Sequence, residues 1–281
     1  MRIGFISDLH ITYNTSFLEE GIDCVLEAAK SAKIDKLFIA GDTSDDYLET
    51  GAFVERLVDE GLDTYFIFGN HEYWSLLYEE ALKLNNKRYI HGKSVNVGDE
   101  HVVVGIDGFF DYSFTTLVDN ESTRDLPKER HVIDKIGKAN FDLKRNKIKS
   151  KKYREVFEDM EVKLTRELKK ANKEGKKIIL MLHYVPSEEF LLYKKNIIWD
   201  SINAFMGSKR YQELAEEYGV SKVVFGHTHF SHNKTINNVD YHCNPVGYKE
   251  KEFDISFRER VKESLKVFEV WKEKERNYEE I

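Results

Sequence analysis

Short apolar runs alternate with amphipathic helical patterns through the first half of the chain. The runs Arg2–Ser7, Lys36–Ala40 and Thr64–Phe68 read as strands. Between them, Leu18, Ile22, Leu26 and Ala29 recur at helical spacing and predict a helix over about 17–33. Leu48, Phe53 and Leu57 predict another over 47–60, and Trp74, Leu77, Ala81 and Leu84 a third. Strands separated by helices imply right-handed βαβ units and a largely parallel sheet. Two further runs, Lys177–Leu182 and Lys222–Phe225, read as strands in the second half. After them the pattern changes: His229–Ile236 and Val239–Asn244, joined at Asn237-Asn238, predict a hairpin. Leu265–Val270 alternates as a strand would, although a continuous C-terminal helix also fits.

The middle of the chain is less patterned. After the apolar run Val102–Asp107, residues 109–152 predict an insertion or cap over one end of the sheets, within a single domain spanning 1–281. Lys135 to Lys177 holds 16 Lys or Arg against seven Asp or Glu. Within it, Tyr153, Phe157, Met160, Leu164, Leu168 and Ala171 form a helical stripe closed by Gly175. A solvated lysine face on a core helix explains this segment; a basic rim for an anionic substrate is the alternative.

Five stretches that follow predicted strands carry the chemistry: Asp8-Leu9-His10, Gly41-Asp42, Gly69-Asn70-His71, His183, and Gly226-His227-Thr228-His229. Ligands of open α/β sheets bind beyond the carboxyl ends of the strands, so residues distant in sequence would converge there. The stretches offer two aspartates, four histidines besides His71, and one side-chain amide. Imidazole and carboxylate donors without thiolate suit zinc, iron or manganese. Seven donors exceed one tetrahedral ion but suit two ions sharing a carboxylate. In Asp8/His10 and His227/His229 the members are i and i+2, which puts both on one side if the local chain is extended. Singly, each stretch has a bland explanation: Gly-Asn is turn chemistry, and an Asp after Gly often caps a helix. Asn203, Phe205 and Ser208, with Phe110-Asp111-Tyr112, are candidate pocket residues. His91, His101, His131, His232 and His242 stand outside any motif and read as packing or surface residues.

Composition adds limits. A formal net charge of -7 argues against global attraction to nucleic acid. No signal peptide is visible before the first strand, and the longest apolar stretch, Ile178 to Leu182, is far too short to span a bilayer. Cys24 and Cys243 have no metal-like spacing, and Cys24 falls on the apolar face of a predicted helix. The expectation is a cytoplasmic protein without disulfides or membrane association.

The series DLH, GDTSD, GNHE, a lone His in LHYVP, and GHTH, in that order from Asp8 to His229, resembles the calcineurin-like metallophosphoesterase family. The resemblance implies an α/β fold, a four-layer α-β-β-α sandwich of two facing mixed sheets flanked by helices. It implies two metal ions of unknown identity, with manganese, iron and zinc the leading candidates. One ion would take Asp8, His10, Asp42 and His229; the other Asp42, Asn70, His183 and His227. Asp42 would be the bridge, and a hydroxide between the ions the nucleophile on a phosphomonoester or phosphodiester. By the same resemblance His71 does not bind metal but acts on the leaving oxygen or the phosphoryl charge, and Asp45, the second acid of GDTSD, orients it. The expected partner is a small phosphate ester, with substrate-binding residues and oligomeric state undetermined. Two rivals remain: a nuclease gripping nucleic acid with the 135–177 surface, and a non-catalytic scaffold of the same fold.

Overall fold

The computed structural model describes residues 1–116, 145, 147–148, 152–191, 197–248 and 255–270. Most of the 109–152 segment expected to be an insertion therefore lies outside the described residues, as does His131.

Two mixed sheets form the centre. The first contains β1 (Arg2–Ile6), β2 (Lys36–Ala40) and β3 (Asp63–Ile67), parallel to one another, with β10 (Lys266–Glu269) antiparallel against β1. The second has the order β4 (Lys93–Val97), β5 (His101–Gly105), β6 (Lys177–Met181), β7 (Val220–Phe225), β9 (Val239–Cys243), β8 (His232–Ile236). There β5, β6, β7 and β9 run parallel, and both edge strands are antiparallel.

Alternation along each strand explains the layering. Ile3, Phe5, Phe38, Ala40 and Ile67 from the first sheet meet Val103, Ile179, Met181 and Val224 from the second in one inner core. The intervening residues Leu37, Ile39, Phe66, Val104, Ile178, Leu180 and Val223 face outward into a core shared with the helices. Burying each large apolar side chain contributes roughly 1.5–3 kcal/mol. Helices α2 (Leu18–Ala32) and α3 (Tyr47–Asp59) cover the first sheet, preceded by the single turn α1 (Ile11–Asn14). The basic helix α5 (Tyr153–Lys173) lays its apolar stripe on β4, β5 and β6. The whole is an α-β-β-α sandwich, as the motif series implied.

One local expectation changes, one strand is added and one open choice is decided. The helix expected after Gly69-Asn70-His71 is only a 3₁₀ turn, Glu72–Trp74, and one turn of helix, α4 (Tyr78–Ala81). Tertiary partners claim its first turn: Glu72 is drawn onto backbone amides of the Asp42 loop, and Tyr73 donates to Asp107 at 2.6 Å. The edge strand β4 carries only a short alternation, Val95 and Val97, and pairs with β5 alone. Leu265–Val270 resolves to strand β10. A 3₁₀ turn, Glu188–Phe190, and helices α6 (Ile197–Asn203), α7 (Arg210–Glu217) and α8 (Phe257–Ser264) complete the described elements.

Candidate metal centre

Every strand that the sequence placed before a chemical motif delivers it at one end of the sandwich. Asp8 follows β1, Asp42 follows β2, Asn70 and His71 follow β3, His183 follows β6, and His227 and His229 follow β7. The loops are sewn together across both sheets. Asp8 N–H donates to the Gly41 carbonyl, His10 N–H to the Asp42 carbonyl, and Gly226 N–H to the His183 carbonyl, at 3.0–3.1 Å. His227 N–H donates to Asp8 Oδ1 at 3.0 Å, joining the two sheets directly.

The backbone geometry corrects one expectation. Asp8 and His10 have φ of 55° and 43°, and His227 and His229 have 71° and 56°. The pairs therefore converge through left-handed residues, not through an extended chain. Of nine described non-glycine residues with positive φ, five are Asp8, His10, Asp42, His227 and His229. Such conformations cost on the order of 1–3 kcal/mol each and persist only where their surroundings over-determine them. Strain is thus concentrated at this centre.

Two donor groups result. Asp8, His10, Asp42 and His229 place one ligand atom each within 4.8 Å of one another, and so do Asp42, His183 and His227. Asp42 belongs to both. Its Oδ2 lies 3.8 Å from His10 Nε2 and 3.3 Å from His183 Nε2, while Asn70 Oδ1 is 3.0 Å from that same His183 nitrogen. His10 Nε2 faces His229 Nε2 at 3.0 Å, and His229 Nε2 faces Asp8 Oδ1 at 3.3 Å. Imidazole nitrogens and carboxylate oxygens converging on one space are what a cation satisfies, so the donor set fits metal ions.

The glycines before each donor explain themselves at this density. A Cβ on Gly69 would lie 2.1 Å from Asp42 Oδ1, and one on Gly226 would lie 2.3 Å from Asp8 Oδ2. Only hydrogen fits where a backbone passes that close to another loop's carboxylate.

Burial sets the charges. It drives the His10 and His227 pKa values down to about 3, keeping both imidazoles neutral. For Asp8, burial opposes the charge but is outweighed by the His229 hydrogen bond and nearby histidines, which bring its pKa to about 2. Asp42 is also held well below the carboxylate range, its burial overcome by His183 and His71.

His71 stands apart from both donor groups. Its Nδ1 lies 2.7 Å from Asp45 Oδ1, and its Nε2 lies 3.7 Å from Asp42 Oδ2. Asp45 is not the helix cap; the next residue, Asp46, caps α3 by accepting from Leu48 N–H at 2.9 Å. Tyr13 O–H also donates to Asp45, at 2.6 Å, and Trp74 packs its ring on His71 at 3.8 Å.

Phe110, Asp111, Tyr112, Phe205 and Ser208 pack on one another. Phe205 meets Phe110 and Tyr112 edge-on, and Ser208 donates to Asp111 at 2.7 Å. They adjoin the centre through Tyr184, whose ring lies 6.2 Å from Phe110 and 4.8 Å from His227. Asn203, also buried, ends α6 just before Phe205 and Ser208. His91, read as a packing residue, is buried with its Nδ1 3.0 Å from Asp107 Oδ2.

Two contributors escaped the sequence reading. Glu72 is fully buried and accepts from the amides of Asp42, Thr43, Ser44 and Gly69 and from the Thr50 hydroxyl. The acid after Gly69-Asn70-His71 was visible, but not that it ties the Asp42 loop to the Asn70 loop. Tyr248, far from any motif, reaches His71 Nε2 with its hydroxyl at 3.0 Å. Nothing in its local sequence announced it.

Comparisons with known proteins give the family and the fold. The family model described as calcineurin-like phosphoesterase matches residues 1–231. No curated protein matches the sequence. Among solved structures, phosphopantetheinyl hydrolase from Mycobacterium tuberculosis superposes with a TM-score of 0.62 at 15% identity, covering 88% of this chain and 89% of that one. A dimetal phosphatase from Danio rerio gives 0.51 at 12% identity, covering 87% of each. GAP50, the anchor in the inner membrane complex of Plasmodium, gives 0.50 at 12% identity, covering 88% and 72%. At these identities the structural likenesses establish the fold.

Proposed function

The chain belongs to the calcineurin-like phosphoesterase family and is a phosphoric ester hydrolase, and from that premise we propose that it is a two-metal enzyme acting on a small phosphomonoester or phosphodiester. The observation that carries this reading is the sharing of Asp42 between two donor groups. A carboxylate has two oxygens and a charge, so it can hold two cations while partly offsetting their repulsion. Asp8, His10, Asp42 and His229 would hold one ion, and Asp42, Asn70, His183 and His227 the other. Manganese, iron and zinc all suit these ligands. Ions bound there supply Lewis acidity and lower the pKa of water towards about 7.

The protein's own residues then divide the remaining work. His183 is oriented by the Ala40 carbonyl, 2.9 Å from its Nδ1, so that Nε2 points at Asp42 and Asn70. His71, locked by Asp45, presents Nε2 to the same space and serves the leaving oxygen or the phosphoryl charge. Asp8 and His10 are fully buried, and the low dielectric around them strengthens each electrostatic contact with a bound phosphoryl group.

The fold is shared by an anchor protein, so architecture alone does not separate enzyme from scaffold. The complete donor set and the Asp45–His71 pair favour the enzyme. A nuclease would need a field of positive charge, yet along α5 Arg154, Lys163 and Arg166 pair with Glu158, Asp159 and Glu167. A panel of phosphate mono- and diesters, assayed after reconstitution with manganese, iron, zinc or nickel, tests the proposal. Turnover of no ester with any metal would refute it. Nucleic-acid binding that weakens steeply as salt rises would favour the nuclease.

A further inference from the structure

Residues Pro245–Tyr248 follow β9 and lie beyond the stretch matched by the family model. Their backbone is nevertheless built into the centre. Val246 N–H donates to the Ser7 carbonyl and Gly247 N–H to the Asp8 carbonyl, each at 3.0 Å. Asn14 Nδ2 donates to the Gly247 carbonyl at 2.8 Å. The Arg260 guanidinium donates to the Val246 and Gly247 carbonyls and to Asn14 Oδ1, at 2.8–3.0 Å. Gly247, at φ 68°, then turns the chain in a way that favours glycine. The Cα of Tyr248 is in this way referenced to the Asp8 loop itself.

The phenol ring stacks on His10, with centroids 4.2 Å apart and planes 28° from parallel, and meets His229 and Tyr13 edge-on at 4.7 and 5.4 Å. Its hydroxyl lies 3.0 Å from His71 Nε2, the nitrogen that faces Asp42 Oδ2. With Asp45 on Nδ1 and Tyr248 on Nε2, His71 meets an incoming group only through this phenol or after displacing it. Tyr248 is 38% exposed.

We propose that Tyr248 is a further catalytic residue of the phosphoester reaction: its hydroxyl, held by His71, donates a hydrogen bond to a non-bridging phosphoryl oxygen. The proposal rests on the phosphoesterase reading above. Where both ring nitrogens of His71 donate, Nδ1–H to Asp45 and Nε2–H to the phenol oxygen, the phenol hydrogen remains for substrate. The ring is already stacked, so the donor needs little reorganisation when charge develops on the phosphoryl group. The ring also walls His10 and His229 from water on that side. No proton leaves Tyr248 in this role.

Tyr248→Phe keeps the stacking ring and removes only the hydroxyl; Tyr248→Ala removes both. In metal-reconstituted protein, Tyr248→Phe should retain both ions by elemental analysis. It should bind inorganic phosphate roughly 10-fold more weakly in calorimetric titration, the equivalent of one lost hydrogen bond. Its kcat should fall roughly 10²-fold, the loss typical of one preorganised donor, with KM changed less. The ¹⁵N resonance of His71 Nε2 should also move in Tyr248→Phe. Wild-type phosphate affinity and turnover in Tyr248→Phe would overturn the proposal, and so would loss of a metal ion in that variant. Should the wild-type protein hydrolyse none of the esters, the phosphate titration still decides the role of Tyr248, and the failure then belongs to the phosphoesterase reading alone.

Discussion

His71 Nδ1 and Asp45 Oδ1 are 2.7 Å apart although 26 residues separate them in sequence. The carboxylate fixes which ring nitrogen faces the donor groups and keeps His71 out of both. Its own pKa is lowered: burial resists the charge, but hydrogen bonds from His71 and Tyr13 outweigh it.

If His71 acts on the leaving oxygen, His71→Ala should keep both metals and lose roughly 10²–10⁴-fold in turnover. The loss should shrink for nitrophenyl esters, whose leaving group needs no proton. Asp45→Asn should cost less, roughly 10–100-fold, because it disturbs only the orientation of His71. Elemental analysis beside steady-state kinetics checks both, and a lost ion in His71→Ala would make it a ligand.

Asp42→Asn removes charge where two donor groups meet. Reconstituted protein should bind fewer than two ions per chain and lose most of its turnover. Two retained ions with near-normal activity would place the shared ligand elsewhere.

Glu72 is predicted to matter without touching substrate. Glu72→Gln places an amide where an acceptor serves the N–H groups of Asp42, Thr43, Ser44 and Gly69. Leaving buried donors unsatisfied should destabilise the fold by roughly 1–3 kcal/mol or more, read as a lower Tm, with weaker metal binding because two ligand loops lose their tie. An unchanged Tm would contradict this.

His183 predicts the pH dependence of metal binding. Burial is the largest influence and disfavours its charge, but the Asp42 carboxylate and hydrogen bond, with Asp8 and the Ala40 carbonyl, carry its pKa up to about 10. Metal-free protein should therefore hold this proton at pH 7 and release about one proton on filling the site, since a ligand must be deprotonated. Affinity should rise with pH up to about 10. Stability of the metal-free protein should run the other way. A pKa raised from 6.5 contributes stability that is fully present below about pH 6.5 and lost as pH rises through about 10. Calorimetry in buffers of different ionisation enthalpy measures the proton count, and a count of zero would refute the assignment.

Much of this was readable in the chain. The five strands ahead of the motifs, the helices α2 and α3 and the stripe of α5 follow from local hydrophobic period, and the donors from residue type. Two features resisted for a physical reason. Strand β4 offers only Val95 and Val97 as an apolar alternation, too short to stand out, and it pairs with β5 alone. The helix expected after His71 was overridden by the long-range pull on Glu72 and Tyr73.

By itself, then, the sequence determined the donor chemistry and its delivery at strand ends, because side-chain identity and hydrophobic period are local properties. Only the tertiary structure decided how the donors meet. Left-handed backbone at Asp8, His10, His227 and His229 is stable only when neighbouring loops hold it. The convergence on Asp42 requires both sheets, and Tyr248 reaches His71 across 177 residues because Ser7, Asp8, Asn14 and Arg260 grip the chain before it. Contacts of that sequence separation leave no local period or motif to read.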